Sequence, residues 1–488
     1  MQARVVVMPQ GMGHRVLHVI GRIDASRTAF MTFDPIIAAT RFGTGLSPVI
    51  EPPWDAESML GKLGGPDQAA ALMPIAGFEV TTPTLAFIGA LNKADREARG
   101  TDGEAAAKEA IRQKNRELSD VSRHNTLSTL ARCVTAQDGL RERLTLFWAD
   151  HFTVIGRGFN QRHLVTPYIA DAIRPHVAGR FADMVKAVVM HPMMLLYLEQ
   201  TRSLGPSSPQ GLKSGRGLNE NLARELLELH LIGVGGGYDQ TDVTQMAELL
   251  TGLSYNAVHG VTYRAQQAEP GAEVVMGRRY SADSALATIT SALEDIAIRP
   301  ETAAHISRKL AVHFVSDTPD PDLIASMSRA FVDSGGDLLA VTGAMLQHPA
   351  AWSPVRAKVR QPFTFVAAGL RALGVRADRI MPLGNGQFKR HLTDPLRLMG
   401  QPFEQPVGPD GWAEDPAAWI TPQGLAGRIS WAVASPAEFV DTLPDPRKFV
   451  QTAVGPTAPP ELIFAADAAE SLADGVALVL TSPAFQRI

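Results

Sequence analysis

Apolar residues recur every three to four positions along nearly the whole chain, which is the period of an amphipathic helix. This pattern predicts an all-α, predominantly helical fold. The predicted helices lie near residues 34–40, 84–98, 103–135, 138–152, 163–175, 179–190, 218–232, 241–252, 283–296, 300–315, 321–334, 337–347, 359–373, 423–434 and 470–481.

Three stretches depart from the helical period. The sequence VTYRAQQAEPGAEVVMGRRY has two extended runs on either side of Glu-Pro-Gly-Ala, and predicts one small β-hairpin near 261–280. Residues 201–217 and 383–424 are rich in Gly and Pro. Loops of that length are typical of functional lids or of disordered segments.

The length of the chain predicts more than one lobe. A chain of 488 residues exceeds what one hydrophobic core usually supports. We expect a multi-lobed helical array with lobes 31–255 and 283–488, joined by the hairpin region 256–282. Residues 1–30 have no clear helical pattern and Met31 precedes the first predicted helix, so we expect a non-native or disordered extension before a start at Met31.

Composition excludes several classes of protein. The formal net charge is −4 and no basic stripe alternates with aromatic residues, so nucleic-acid binding is not expected. A single cysteine, Cys133, excludes an intramolecular disulfide and any multi-cysteine metal site. No run approaches the ~20 apolar residues of a membrane span. The first residues form a poor signal peptide, so the chain as written is predicted to be cytoplasmic.

The predicted helix within NENLARELLELHLIGVGGGYDQ combines charge with one buried-looking histidine. At about 100° per residue, His230 falls inside the apolar arc formed by the leucines. Glu220, Arg224 and Glu228 form an i, i+4, i+8 ladder on the other side, typical of a paired solvent face or an interface, and Glu225 lies at the boundary. A buried histidine needs a hydrogen-bond partner or a metal, so His230 is either a satisfied core residue or a functional one.

Two other predicted helices carry histidines. His151 lies in the centre of an apolar face in LRERLTLFWADHFTV, and Asp150 points away from that face. In ETAAHISRKLAVHFV, His305, Lys309 and His313 are spaced four residues apart. That stripe is either a solvated ladder or, if a second lobe covers it, an ionisable wall with perturbed pKa values.

Familiar catalytic and binding motifs do not occur. The run GVGGGY follows a helix and lacks a Gly-Lys-Ser/Thr ending, so it is neither a dinucleotide fingerprint nor a P-loop. Glycines at a helix end, followed by Asp239 or Thr241 as a cap, predict a turn between two helices. Paired Glu-x-x-His sequences, His-Glu-x-x-His and Gly-x-Ser-x-Gly are missing. Cys133 is interpreted as a small core residue.

Several segments together resemble the bacterial DUF1800 family, in the order in which that family has them. They are LTLFWADHFTV, HPMMLLYL, GRGLNENLARELLELHLIGVGGGYDQTDVTQMAELLTGLSY, HISRKLAVHFV, KVRQPFTFVAAGLRALG and MGQPFEQPVGPDGW. The resemblance runs from about Phe33 to the C-terminus. It implies a predominantly helical fold and no particular activity. It also implies a neighbouring DUF1501-like protein, a sulfatase- or phosphatase-like family that commonly carries an export signal.

The resemblance also implies a set of characteristic polar positions on three helices and one helical turn. In this chain they are His151, Asn221, Arg224, Glu225, Glu228, His230, Asp242, Arg308, Lys309 and His313. One turn departs from the family. Where many relatives have His-Asp-x-Gly-x-Lys, this chain has Ala-Glu-Pro-Gly-Ala-Glu from Ala268 to Glu273, so a role in binding or catalysis at that turn is doubtful here.

The first hypothesis is an enzyme or cofactor-binding protein with a cleft between helices 139–153, 218–232 and 300–315. The residues predicted for catalysis are His230, Glu225, Arg224 and Lys309. The residues predicted to bind a cofactor are Asn221, Asp242 and Arg308. The residues predicted to hold a divalent metal are His151, His230, His313 and Glu228.

Two further hypotheses remain open. In one, the chain is a helical partner or escort of the DUF1501-like protein, either in the cytoplasm or exported alongside that signal-bearing partner, with Glu220, Arg224 and Glu228 at the interface. Alternatively it is a purely structural helical protein whose histidines are satisfied members of the core. The sequence alone does not decide among the three.

Overall fold

Helices make up most of the protein, as the apolar period predicts. The computed structural model describes residues 33–281 and 285–488, without the side chains of 79–84 and 159–160. The predicted extension at 1–30 and the predicted start at Met31 lie outside the described residues. Within those residues, no helix combines the length and the hydropathy needed to cross a bilayer.

The first half of the chain contains the helices α1 to α13. They are α1 Pro35–Ile37, α2 Ala56–Gly64, α3 Gln68–Leu72, α4 Phe78–Ala98, α5 Glu104–Thr135, α6 Gly139–His151, α7 Phe159–Arg162, α8 Val165–Tyr168, α9 Phe181–Val189, α10 Pro192–Tyr197, α11 Pro209–Ser214, α12 Asn221–Glu225 and α13 Gln240–Leu249.

The second half contains the helices α14 to α28. They are α14 Leu286–Ala297, α15 Pro300–Phe314, α16 Pro321–Ser334, α17 Leu338–Gln347, α18 Pro362–Ala372, α19 Ala377–Ile380, α20 Asn385–Phe388, α21 Asp394–Leu398, α22 Pro416–Trp419, α23 Pro422–Ala434, α24 Pro436–Phe439, α25 Pro446–Val454, α26 Pro460–Asp467, α27 Leu472–Thr481 and α28 Pro483–Gln486.

The long helices follow the sequence prediction closely because their ends carry the expected signals. Asp138 accepts a hydrogen bond from the backbone of Arg141 and caps α6, and Pro300 opens α15. Asp239 and Asp242 form a reciprocal capping box at the start of α13, which confirms the predicted turn after the glycines. The helices that the apolar period does not predict are short. A helix of few residues contains too few apolar positions for the period to be recognised.

Four segments widen into π-helix, which an apolar period cannot predict. They are Ala38–Phe42, Ile169–Ile173, Leu226–Leu231 and Lys389–Thr393. The third continues α12, so the predicted helix 218–232 is an α-helix for one turn and a π-helix thereafter. Such bulges are frequent at functional sites and leave backbone carbonyls open to other partners.

Strands occur in the predicted region, and each pairing is local. Strands β1 Leu253–Asn256 and β2 Gly260–Tyr263 pair antiparallel, with Leu253 opposite Tyr263. Strands β3 Val274–Val275 and β4 Arg278–Arg279 form a second antiparallel pair. The Glu-Pro-Gly-Ala sequence lies between these two hairpins rather than at the turn of either one.

The buried apolar residues form two cores. The first core joins residues between Ala38 and Trp352, and so includes the helices before and directly after the hairpins. The second core joins the end of α5 to the helices from α18 onward. Cys133 is buried in this second core, as predicted. The boundary between the two cores therefore does not coincide with the predicted lobe boundary at 256–282. The division into two lobes stays a prediction.

A buried arginine ties the two cores together. Nε of Arg371 on α18 donates to the carbonyl of Gly45, at 2.9 Å. Its Nη1 donates to the carbonyls of Val134 and Ala136, at 2.9 and 3.0 Å. These bonds join segments that are more than 200 residues apart in the chain. The guanidinium therefore holds its partners in a fixed arrangement without any carboxylate.

Candidate functional site

Three histidines meet around the π-helix that follows α12, and we call His151, His230 and His305 the π-helix cluster. Nε2 of His151 lies 3.0 Å from the carbonyl oxygen of His230, and Nε2 of His305 lies 3.0 Å from that of Leu229. Because a carbonyl only accepts, both imidazoles carry their proton on Nε2 and donate it. They satisfy carbonyls in the π-helix and hold it against α6 and α15.

The glycine that follows the π-helix packs directly against one ring of the π-helix cluster. The glycine Gly233 has φ +86°, and a Cβ at this position would lie 2.4 Å from Nδ1 of His305. Neither ring nitrogen of His230 makes a hydrogen bond of ordinary geometry to a described residue, although one approaches the backbone of His151. Burial and then the charge of Lys309 lower the pKa of His230 to about 3, so its ring stays neutral.

His313 lies apart from the π-helix cluster, although it shares one face of α15 with His305. The ring of Phe147 stands between, with its centroid 5.1 Å from that of His313 and 6.1 Å from that of His151. The predicted metal ligands are therefore distributed over separate surroundings. Within residues 33–281 and 285–488, no three His, Cys, Asp or Glu side chains are placed to hold a metal ion.

The imidazole of His313 belongs instead to a chain of charged side chains. Its Nδ1 lies 2.5 Å from Oε1 of Glu414, whose Oε2 lies 2.9 Å from Nζ of Lys358. Lys358 also pairs with Asp317. On the other side, Nε2 of His313 lies 3.3 Å from Nη2 of Arg143. Since a carboxylate accepts and a guanidinium donates, the imidazole carries its proton on Nδ1 and presents Nε2 as an acceptor.

The charges of this chain are fixed by its contacts. Burial opposes the ionisation of Glu414, but His313 and Lys358 outweigh it and hold the pKa of this carboxyl well below its usual range. Burial lowers the pKa of His313, although Glu414 opposes the shift. At neutral pH the pair is therefore a carboxylate beside a neutral imidazole. This is the arrangement that orients a general base in many hydrolases.

A partly enclosed cavity of about 120 Å³ lies beside this pair, with residues of both cores in its wall. Helices α5, α6, α8 and α15 contribute to the wall, together with residues 358–364. The irregular segment 399–415, between α21 and α22, closes another side, and we call it the covering segment. Most of the wall is apolar, with a few convergent polar groups, as in sites for small molecules.

Asp150 faces the cavity from α6, two turns after Arg143 on the same face. Its Oδ1 accepts a hydrogen bond of 2.8 Å from the backbone N–H of Trp412 in the covering segment. Gly411 allows this approach: its φ is +79°, and a Cβ there would lie 2.6 Å from Oδ1 of Asp150. Burial raises the pKa of Asp150 to about 7, against the opposing effects of Trp412 and Lys309.

A second carboxyl of the covering segment also faces the cavity. Oε2 of Glu404 accepts a hydrogen bond of 2.9 Å from the hydroxyl of Thr166 on α8. Burial raises the pKa of Glu404 to about 8, so this carboxyl is largely protonated at neutral pH and can donate. Its φ is +53°, a left-handed conformation that side chains other than glycine rarely adopt and that clusters at functional sites.

Two residues predicted to be catalytic lie at the outer edge of this region. The side chain of Lys309 makes no hydrogen bond or ion pair with any residue that the structure describes, and burial lowers its pKa. The carboxylates that favour its charged form are those of Asp150, Glu414 and Asp410. Burial raises the pKa of Glu225, and the neighbouring charges of Glu228 and Asp410 add to this effect. Asp410 of the covering segment therefore lies near both residues, and the cleft predicted between the three helices stays a prediction.

Two other predicted residues are engaged in holding the structure together. Nη2 of Arg224 lies 2.8 Å from Oε2 of Glu220 and 3.0 Å from Oε1 of Gln240, which ties α12 to α13. The carboxylate of Asp242 accepts bonds from the backbone N–H groups of Asp239 and Met276, at 3.1 and 2.6 Å. The first two charges of the predicted interface ladder are therefore paired within the chain.

The remaining predicted residues have few contacts. Asn221 and Arg308 are exposed, and Glu228 is half-buried. The side chains of these three residues make no hydrogen bond to another residue within the described part of the chain. None of the three lines the cavity, and their predicted roles in binding a cofactor or metal stay predictions.

Sequence reasoning missed most of the groups that face the cavity. The helical wheel correctly places Asp150 on the side of α6 opposite its apolar face. The covering segment packs over that polar side and makes Asp150 part of the cavity wall. Arg143, Glu404 and Glu414 carry no motif of their own. The one available signal is the sequence MGQPFEQPVGPDGW, which contains Glu404 and ends two residues before Glu414. Its unusual density of Pro and Gly marks a loop with a defined path.

Comparison with known proteins identifies the family. A family model described as "Protein of unknown function (DUF1800)" matches residues 50–487. Neither the curated proteins nor the solved structures gave a match. The match covers most of the chain and agrees with the resemblance of its segments. The protein therefore belongs to the DUF1800 family.

Proposed function

We propose that the protein is an enzyme that carries out acid–base chemistry on a small molecule bound in the cavity between the two cores. The observation that carries this proposal is the Glu414–His313 pair at the cavity wall, with Nδ1 and Oε1 2.5 Å apart. A carboxylate that holds Nδ1–H fixes the ring and stabilises the imidazolium that forms when Nε2 accepts a proton.

Asp150 supplies the second proton-transfer group of the proposed mechanism. It lines the same cavity as His313 and titrates near neutral pH, so that it can return a proton to a leaving group. The hydroxyls of Thr145, Thr153 and Thr166 line the cavity too, but each donates to an acceptor in the protein. The arrangement therefore supports proton transfer to and from ligand or water rather than attack by a protein hydroxyl.

The test works with an unidentified substrate. Wild-type protein and the Asp150→Asn variant are incubated with a bacterial small-molecule extract, and the metabolites are compared by mass spectrometry. We expect a compound that the wild type consumes and that the variant consumes roughly 10²–10⁴-fold more slowly. Exposed Glu461→Gln serves as a control that keeps the wild-type rate. Equal metabolite profiles with and without the wild-type protein contradict the proposal.

The hypothesis of a helical partner for a DUF1501-like protein predicts a different result. It requires a stable complex on co-purification and no consumption of any metabolite. The pairing of Arg224 with Glu220 and Gln240 leaves less of the predicted charge ladder free for such an interface. No contact of the described residues favours this alternative over the enzyme.

A further inference from the structure

Four neighbouring arginines, of which Arg143 lines the cavity, lack a carboxylate partner of their own. Arg143, Arg356, Arg360 and Arg428 form no ion pair within residues 33–281 and 285–488. Arg143, Arg360 and Arg428 are 4%, 2% and 0% exposed. Burying an unpaired charge is costly, so a cluster of this kind requires compensation from another source.

Aromatic rings and backbone carbonyls compensate part of this charge. The guanidinium of Arg143 lies over the ring of Phe314 at 5.4 Å, and that of Arg360 over the ring of Phe485 at 5.2 Å. Nε of Arg360 donates to the carbonyl of Phe485, and Nη2 of Arg428 donates to the carbonyl of Arg360. Carbonyls and rings attract a cation but do not neutralise it.

Several donors of the cluster remain unused. Nη1 of Arg360 and both Nε and Nη1 of Arg428 are buried without a hydrogen-bond partner among the described residues. Arg143 has a single polar contact, with Nε2 of His313, and lines the cavity. Arg360 stands within the segment 358–361, whose other three residues line the cavity as well. Arg143 thus brings a cation to the cavity wall, and the unused donors of Arg360 and Arg428 lie behind that wall.

The acidic residues of the cavity do not supply the missing negative charge. Glu142 is bound by Arg174, with 2.6 Å between Oε1 and Nη2. Glu414 acts on Arg143 electrostatically, but His313 and Lys358 already share this carboxylate. Asp150 and Glu404 are the other two acids in the wall, and burial favours their neutral forms.

We propose that the end of the cavity beside Arg143 is a subsite for an anionic group of the ligand, either a phosphate or a carboxylate. The planar fork of Arg143 donates directly to the oxyanion, as guanidinium groups do in bidentate recognition. The charges of Arg360, Arg356 and Arg428 lie behind it and strengthen the attraction in a medium that excludes water. This inference rests on the cavity being the ligand site of the proposed enzyme, and it makes the substrate an anion.

The experiment measures binding without turnover, so its failure is separate from failure of the proposed activity. Inorganic phosphate and acetate are titrated into the full chain by calorimetry at constant ionic strength. We expect saturable binding of one of them, which also distinguishes a phosphate subsite from a carboxylate subsite. Arg143→Gln should weaken that binding by at least roughly ten-fold, and Arg143→Lys by less. Exposed Arg447→Gln is the matched control and should bind as the wild type does.

A measurement on the wild type keeps the proposal falsifiable if the Arg143 variants fail to fold. Hydrogen exchange of the wild-type chain with and without the bound anion should show protection in α6 and in residues 358–364. The absence of saturable binding of both anions overturns the proposal. Protection confined to other parts of the chain, or unchanged affinity in folded Arg143→Gln, overturns it equally.

Discussion

His305 and His313 occupy the same face of one helix, eight residues apart, yet their surroundings differ completely. His305 donates to a backbone carbonyl of the π-helix and lies against Gly233. His313 is held by a carboxylate and lines a cavity. The comparison teaches that burial alone does not distinguish the two histidines, whereas a charged partner on one nitrogen and an adjoining cavity do.

The largest effect is expected when one histidine is substituted in each of these two surroundings and the rates are compared. His313→Gln should slow conversion of the substrate by roughly 10²–10⁴-fold, because it removes the oriented base. His151→Gln, in the π-helix cluster, should leave the rate per folded molecule unchanged. It should lower the free energy of unfolding by about 1–3 kcal/mol, since the carbonyl of His230 loses its donor.

Initial rates and urea unfolding measure the two quantities on the same protein preparations. A variant His151→Gln that remains stable but loses activity would break the comparison. It would make the π-helix cluster part of the chemistry.

The next effect comes from two glycines with positive φ, one in each region. A Cβ added at Gly233 would lie 2.4 Å from Nδ1 of His305, so Gly233→Ala should destabilise the protein by roughly 2–4 kcal/mol. A Cβ added at Gly411 would lie 2.6 Å from Oδ1 of Asp150. Gly411→Ala should therefore move the covering segment and reduce turnover by roughly 10–100-fold.

Each glycine has a matched control with positive φ and open space at the Cβ position. Gly235→Ala and Gly400→Ala should show only the cost of the backbone conformation, roughly 1 kcal/mol each. Thermal unfolding measures the loss of stability, and initial rates measure the loss of turnover. If Gly411→Ala and Gly400→Ala have the same stability and the same turnover rate, the contact between the covering segment and Asp150 does not contribute to turnover.

A smaller effect concerns pH and belongs to the cavity alone. The pKa of Glu404 is raised to about 8 in the folded protein, so the folded state binds a proton that the unfolded state releases. Its contribution is present below the unfolded pKa and is lost as pH rises toward 8. Glu404→Gln should flatten the fall in unfolding free energy between about pH 5 and 8, by roughly 3–4 kcal/mol.

Urea unfolding across this pH range measures the slope, and the exposed Glu461→Gln is the control. An unchanged slope in Glu404→Gln would show that the carboxyl is solvated and ionised. It would then line the cavity as a charge rather than as a donor.

The smallest effect is expected at the exposed positions outside both regions. Asn221→Ala and Arg308→Ala should each change the free energy of unfolding by less than about 0.5 kcal/mol and leave turnover unchanged. Chemical denaturation and rate measurements are sensitive enough to detect a larger change. A clear loss of turnover in either variant would extend the site beyond the cavity to the family's outer polar positions.

The sequence predicts those parts of the fold that depend on local pattern. The apolar period locates the long helices, and Asp239 and the glycines predict the turn before α13. The burial of His230 also follows from its position on the apolar arc. On α15, the alternative of a covered, ionisable wall agrees with the position of Glu414, which contacts His313 from 101 residues away.

The cavity could not be predicted because it depends on contacts between distant segments. Asp150 appears as a solvent-facing residue until the covering segment, about 260 residues later, packs over it. The sequence does not show that Arg143 is unpaired, because this depends on which cations bind the nearby carboxylates. In the structure, Glu142 binds Arg174 and Glu414 binds Lys358. A π-helix differs from an α-helix by one residue per turn over a few residues, too little to change an apolar period.

The bonds of Arg371 have a consequence for the kinetics of ligand entry. Separating the two cores to admit a ligand would strip a buried guanidinium of three carbonyl partners at once. The covering segment is also held at several points, since Asp150 binds Trp412, Thr166 binds Glu404, and His313 and Lys358 bind Glu414. Association should therefore be slower than diffusion permits, because either route of entry breaks several buried polar contacts at once.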